Sequence, residues 1–274
     1  MMKQIDLQEA IEILIENNYI LTEAQIGSQD KAYKALMKLA HEVDDAGYEL
    51  YVVGGAVRDK LMGKTPNDYD LNTNMPGEEF IALSDPGTGR ISHRRIKDIA
   101  HIVVDGEEFE CCILREGNVV DQQRRCDITI GGLIWNPLTD EIIDATGYGK
   151  QDIKNKVIRI TDFMKDQMLR GRQIEIMWRV FKAYAQFGWK IEPESLDVIK
   201  KMIEFRDGQV HVFDLLKERI MTLPHKQKVF DLCKELGIYE DLFGKNPKKL
   251  SDGNKDWTKK DVTDINLDNY RKNK

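Results

Sequence analysis

Long apolar runs are missing from this 274-residue chain: nothing approaches the ~18 consecutive apolar residues of a membrane-spanning helix, and the N-terminus has no basic stretch leading into an apolar core. A cytoplasmic protein with no membrane partner is expected. A basic excess is missing too. The 41 Lys and Arg against 47 Asp and Glu leave a net charge of −6, which argues against non-specific coating of nucleic acid. Cysteine is scarce, and Cys111, Cys112, Cys126 and Cys233 show neither metal-ligand spacing nor the paired framework of a small secreted domain, so reduced structural thiols are expected. Repeats of solenoid period are absent. What is present is an ordinary globular composition, 41% hydrophobic and 32% charged, in a chain long enough to bury a sizeable core.

The most informative stretch runs from Tyr51 to Thr73, YVVGGAVRDKLMGKTPNDYDLNT. Leu50 to Val53 reads as a buried strand that breaks at Gly54-Gly55, where residues without Cβ let the backbone turn sharply and approach a ligand closely. Ala56 to Met62 has helical spacing, so the glycine pair leads into a helix, an arrangement that favours an anion such as phosphate; Gly63 to Pro66 ends that helix. Asp68-Tyr69-Asp70 follows. As the start of a strand it puts both carboxylates on one side and Tyr69 on the other. Paired carboxylates suit Mg²⁺, which is held by a few carboxylates plus substrate phosphates, and a two-metal site can clamp the attacking and leaving oxygens of a phosphoryl displacement. Alone, an Asp-x-Asp is commonly a polar turn and a Gly-Gly a loop. Together they are far more specific.

This combination, Gly-Gly-x-Val-Arg-Asp followed by Asp-x-Asp, resembles the head of the tRNA nucleotidyltransferase (CCA-adding enzyme) and bacterial poly(A) polymerase family, the class II branch of the polymerase β superfamily. The resemblance implies that Asp68 and Asp70 bind two Mg²⁺ ions and that Gly54, Gly55 and Arg58 hold the triphosphate. It also implies a third acidic residue on a later strand. Ile99 to Val104 and Glu108 to Leu114 are extended runs separated by Asp105-Gly106, a hairpin signal, and Glu110 stands at the matching position.

Asp121 to Leu133, DQQRRCDITIGGL, resembles the family's second motif, with Arg124, Arg125 and Asp127 in register to bind phosphate and sugar. Cys126 and Gly131 depart from it, standing where arginine and asparagine are usual, and the connection from Arg115 to Arg124 is shorter than the family's flexible loop. The following segment brings a strand, turns at Asn136-Pro137 and Gly147 to Gly149, a short helix from Asp152, and a strand over Val157 to Ile160. Phe163 to Gly188 reads as one long helix, kinked at Gly171, with Ile174, Met177, Trp178, Phe181 and Ala185 as a core stripe. The family's base-reading Glu-Asp-x-x-Arg falls in this helix on Arg172 to Ile176 and does not match. Gln173 remains as a base contact, Arg170 or Arg172 with Asp166 as substitutes, and Arg179 matches a family arginine one turn on. The run of basic residues from Lys150 to Lys190 is either a solvated face or a phosphate-following one.

Helices are expected over 5–18, 30–46, 192–206, 211–223 and 226–237, and residues after Gly244 read as a polar tail in which Trp257 and Tyr270 could stack on RNA. The fold class that follows is α+β: a nucleotidyltransferase head, a small mixed sheet with flanking helices, followed by an all-α neck and body. The expected divisions are N-terminal helices over 1–47, the catalytic head over 48–160, neck and body over 161–245, and the tail over 246–274. The implied function is template-independent addition of nucleotides from CTP and ATP to an RNA 3′ end, with tRNA CCA addition or repair leading, an A-adding or poly(A) enzyme close behind, and a base-tolerant transferase third. No obligate protein partner is implied. A rival from another class is a catalytically weak RNA-binding protein that keeps the fold.

Overall fold

The apolar run Leu50–Val53 forms strand β1, and its partners build the sheet outward on both sides. The structure is a computed structural model that describes residues 23–93, 98–114, 118–167, 173–204 and 210–243. The expected helix over 5–18, Arg170, Arg172 and the polar tail lie outside those residues. The chain divides into two compact units, one holding the chain through Arg124 together with Ile130–Lys150, the other Arg125–Thr129 and the chain from Gln151 onward.

In the first unit, helix α1 (Glu23–Asp45) precedes β1, and α2 (Gly55–Leu61), β2 (Asp70–Thr73), α3 (Gly77–Ile81), β3 (Arg90–His93), β4 (Asp98–Val104), β5 (Glu107–Ile113), α4 (Val119–Gln123), β6 (Leu133–Trp135) and β7 (Ile142–Asp144) follow. The sheet order is β3-β4-β5-β2-β1-β6-β7, and only β2 and β5 run parallel. The β4–β5 hairpin closes through Asp105 and Gly106, at φ 52° and 82°, as a two-residue turn of the right twist requires.

Register sorts the side chains into two opposed faces. Trp135, Val52, Leu71, Cys111 and Ala100 are successive partners across five strands, and all are buried. Helices α1 and α3, with Leu36, Leu39 and Phe80 fully buried, pack on strands of this sheet. One residue along each strand the row belongs to the other face: Ile143, Ile134, Val53, Asp70, Glu110, His101 and Arg90, from β7 through to β3. Its β7–β6–β1 end is apolar, and Val53 and Ile134 cluster there with Val119 of α4 and Ala145. Its other end is polar.

One local reading needs correction, and two stretches carry regular structure that the sequence did not signal. Asp68 lies before the strand, which starts at Asp70, because β1 ends at Val53, before the Gly54 turn, and the last pair of that ladder is Val53 with Asp70. The polar stretch Arg90–His93, which carries no strand signal, is the edge strand β3. The short connection expected before Arg124 contains helix α4, capped by the Asn118 side chain, which accepts from the Asp121 N–H at 2.9 Å.

The second unit is mainly helical. After α5 (Gly149–Asn155), which starts three residues earlier than expected, come β8 (Val157–Ile158), α6 (Asp162–Gln167), α7 (Gln173–Phe187), β9 (Lys190–Ile191), α8 (Pro193–Glu204), α9 (Val210–Met221), α10 (Lys226–Glu235) and α11 (Tyr239–Phe243). Helix α7 packs against α9 and α10 with Ile176, Met177, Val180, Phe181 and Ala185 buried; of the stripe expected as core, Met177, Phe181 and Ala185 are core, Trp178 is half-buried, and the Ile174 side chain lies outside the described residues. Strands β8 and β9 form a two-stranded parallel ladder. Beside it a buried polar network joins three segments. Arg159 donates to both oxygens of Asp152 at 2.9 and 3.2 Å and also pairs with Glu192, Thr129 donates to Asp152 at 2.6 Å, and Ser195 bridges Glu192 and the Ile160 N–H.

Candidate active site

The turn at Gly54 sets the geometry. At φ 73° and ψ −128°, Gly54 occupies a region that side chains of L-residues disfavour, and the chain leaves the sheet there and enters α2. Its N–H is held by the Leu133 carbonyl at 3.2 Å, so Gly54 contributes the bend, and the donors for an anion come from the residues after it. Arg58 reaches back over this turn: a Cβ added to Gly55 would lie 3.5 Å from Arg58 Nη2. Asp59 holds the same guanidinium, accepting from Nε at 2.9 Å.

Asp70 stands beside that turn. A Cβ on Gly54 would lie 3.8 Å from Asp70 Oδ2, its nearest neighbour, so glycine keeps the carboxylate and the turn close without filling the space between them. Asp68 and Asp70 are exposed while Tyr69 between them is buried, and burial pushes the Tyr69 hydroxyl pKa up. The extended alternation therefore continues back to Asp68 although the ladder does not. Glu110 is the parallel register partner of Asp70 and is also exposed, so the structure brings these two predicted carboxylates side by side on one face.

The arginines of the second motif separate. Arg124 belongs to the first unit, where Nε donates to the Ala145 carbonyl at 3.3 Å and Nη1 meets Asp121 at 3.4 Å. Arg125 belongs to the second, its guanidinium 5.6 Å above the Phe163 ring. There Asp127 pairs with Arg179 at 3.5 Å, joining two predicted nucleotide contacts. The Cys126 thiol donates to the Ile128 carbonyl at 3.2 Å. Gln173 is the first residue of α7, and its side chain lies outside the described residues.

Sequence reasoning missed several polar residues of the same sheet face. Glu108, exposed, sits two residues before Glu110 on β5, and His101 and Arg90 extend the row from Glu110. Asn72, two residues after Asp70, is 2% exposed, and its Nδ2 is a buried donor without a hydrogen-bond partner. Alternation along each strand was legible; the pairing that aligns the strands was not.

Comparison with known proteins agrees with this architecture. Residues 50–159 match the poly(A) polymerase head domain. Poly(A) polymerase I of Escherichia coli O6:H1 is 31% identical over 248 residues, covering 80% of this chain and 51% of that protein. The CC-adding tRNA nucleotidyltransferase of Halalkalibacterium halodurans is 27% identical over 216 residues, covering 78% of this chain and 56% of that one. Among solved structures, a Thermotoga maritima CCA-adding enzyme complexed with tRNA shares the fold with a TM-score of 0.62 at 20% identity, over 89% of this chain and 57% of that one. The chain thus spans about half the length of the curated relatives it matches. On the glycine turn, the aspartates beside it and the family match, residues 50–159 of the chain belong to the family of the poly(A) polymerase head domain.

Proposed function

We propose that this chain is a template-independent RNA nucleotidyltransferase that transfers a nucleoside monophosphate from ATP or CTP to an RNA 3′-hydroxyl, with tRNA CCA addition or repair as its leading task. The observation that carries this reading is the register of Asp70 with Glu110 immediately beside the Gly54 turn. It sets two carboxylates next to a backbone bend built for close approach of a triphosphate.

The donor set fits Mg²⁺. Asp68 and Asp70 offer exposed hard oxygens on a backbone fixed by buried Tyr69 and Leu71. Two carboxylates are enough for an ion that completes its shell with water and substrate phosphates. Bound to Asp68 and Asp70, Mg²⁺ supplies charge stabilisation for the attacking and leaving oxygens.

The chain's own residues do the rest. Gly54 and Gly55 admit the triphosphate and Arg58 and Arg124 offer guanidinium to it, while Arg125, Asp127, Gln173 and Arg179 are the nucleotide contacts of the second unit. Glu110 accepts the proton of the RNA 3′-hydroxyl as its oxygen forms the bond to the α-phosphorus, the bond to the β-phosphate oxygen breaks, and pyrophosphate leaves. RNA, ATP and CTP are the implied partners, and the cytoplasm the implied place of work.

A second reading, addition of adenylate only, is favoured by the absence of the base-reading motif at Arg172 to Ile176 and by the 31% identity to a poly(A) polymerase. An extension assay with Mg²⁺, each NTP singly and mixed, on tRNA transcripts ending before CCA, after C and after CC, with a generic RNA beside them, decides. Ordered C, C, A addition that stops supports the tRNA reading, and homopolymer growth on generic RNA supports tailing. Asp68→Ala and Asp70→Ala are expected to stay folded and to incorporate nothing; activity in either overturns the site.

A further inference from the structure

The row of register partners that joins Asp70 to Glu110 does not end there. Glu110 is paired with His101 on β4, and His101 with Arg90 on β3, so all four side chains share one face. His101 is half-buried and Arg90 exposed at the edge strand. With strands about 4.8 Å apart, Arg90 lies about 10 Å beyond Glu110 along the row.

We infer that His101 and Arg90 carry the 3′ end of the acceptor RNA, with Arg90 on a backbone phosphodiester and His101 between it and Glu110. This rests on the reading of Asp68, Asp70 and Glu110 as the transfer site. The direction follows from the reaction. An in-line displacement puts the attacking oxygen and the leaving pyrophosphate on opposite sides of the α-phosphorus. The Gly54 turn, where the triphosphate sits, flanks Asp70 on the β1 side. The attacking hydroxyl therefore arrives from the β5 side, where Glu110 stands.

The other ways out for the RNA chain are unsuited to phosphate. Across β1, the same row becomes Val53, Ile134 and Ile143, packed with Val119. One step inward along the strands the face is closed by buried Asn72, Cys112 and Ile99. One step outward stand the carboxylates of Asp68 and Glu108, which repel a phosphate. The β4–β3 direction is the one that meets a ring nitrogen donor and then a permanent cation, and an exposed guanidinium matches a phosphodiester in shape and charge.

The test is direct binding of a fluorescein-labelled single-stranded RNA ending in CC to the full chain by anisotropy, across a salt series, for the wild type and for Arg90→Gln, Arg90→Lys and His101→Gln. Arg90→Gln is expected to weaken RNA binding about tenfold and to lower the salt slope by about 0.7, the share of one phosphate contact on a single strand. Arg90→Lys is expected to recover most of the slope, and His101→Gln to weaken binding with the slope unchanged. Affinity for a fluorescent ATP analogue and the thermal midpoint should stay at wild-type values in all three. RNA affinity within about twofold of wild type in Arg90→Gln, a matching loss of ATP affinity, or a wild-type chain that binds no RNA each overturns the inference. A wild type that binds RNA through Arg90 yet incorporates no nucleotide leaves the strip standing and removes the transferase reading.

Discussion

Gly54 and Gly55 are adjacent, yet alanine at each should do opposite things to stability, and the pair separates backbone strain from ligand approach. At Gly54, φ 73° with ψ −128° is the problem: an L-residue held there costs about 1–3 kcal/mol, whatever space surrounds it. Space is not limiting, because the new Cβ meets only Asp70 Oδ2 at 3.8 Å, an ordinary contact. Gly55 is already helical, without a positive φ, and its Cβ would lie 3.5 Å from the flexible end of Arg58. Alanine there restricts the unfolded chain and favours α2, worth about 0.4–1 kcal/mol in the stabilising direction.

Thermal unfolding of the full chain reads both, at about 2–4 °C per kcal/mol for a domain of this size. Gly54→Ala is expected to melt several degrees lower, and Gly55→Ala at or slightly above wild type. The second assay is the KM for NTP, which should rise in both, since on the proposed reading each methyl stands where a triphosphate approaches, and in Gly55→Ala it also lies in contact with Arg58. A Gly54→Ala chain that melts with the wild type refutes the strain argument. Unchanged KM in a stable Gly55→Ala chain refutes the claim that this turn admits phosphate.

Asp152→Ala strips Arg159 of two hydrogen bonds and leaves Thr129 unpaired in the interior; with Glu192 still beside Arg159, a loss of about 3 kcal/mol is expected from the urea midpoint. Burial holds the Cys233 thiol up at about 12 and the Cys111 thiol well above its ordinary value, so both keep a proton that the unfolded chain releases near 9. Their contribution to stability is full below that pH and falls as pH rises towards 12, and Cys233→Ala should flatten this alkaline decline in urea titrations. At neutral pH, iodoacetamide should label half-buried Cys126 before buried Cys111, Cys112 or Cys233, as mass spectrometry of the native chain would read. Gly131→Asn restores the amide usual in the second motif, and since a Cβ at Gly131 meets nothing within 4 Å, it is expected to fold as the wild type in a thermal melt.

Sequence reasoning reached the strand, turn and helix around Gly54 because each carries a local signature: an apolar run, a glycine pair, helical spacing. It reached the β4–β5 hairpin for the same reason, through Asp105-Gly106. It overran at Asp68, since where β2 begins depends on where β1 ends, and β1 is cut short by the Gly54 bend. It missed β3, whose Arg-Ile-Ser-His is polar because an edge strand has one neighbour and faces solvent. Above all it missed that His101 and Arg90 continue the row of Asp70 and Glu110. These residues span 70 to 110 in the chain, and besides the hairpin what gathers them is one edge pairing and one parallel pairing, neither of which leaves a mark on neighbouring residues.

The same alignment explains why side chains with no chemistry of their own govern the candidate site. In a sheet, a shift of one residue moves every side chain to the opposite face. The carboxylates of Asp70 and Glu110 stay outward because their neighbours Leu71 and Cys111 are register partners in the opposite, buried row, continued by Val52 and Ala100. A slip of β2 against β5 would bury a carboxylate and expose a leucine, losing about 2 kcal/mol of apolar burial before the charge is counted. Cys112 completes the arrangement from the other side: its sulfur accepts from Gln122 Nε2 at 3.1 Å and so ties α4 to the face that holds Glu110. The adjacent cysteines, which by spacing alone bind no metal and make no disulfide, thus hold the acidic row from its two faces, one as packing and one as an acceptor.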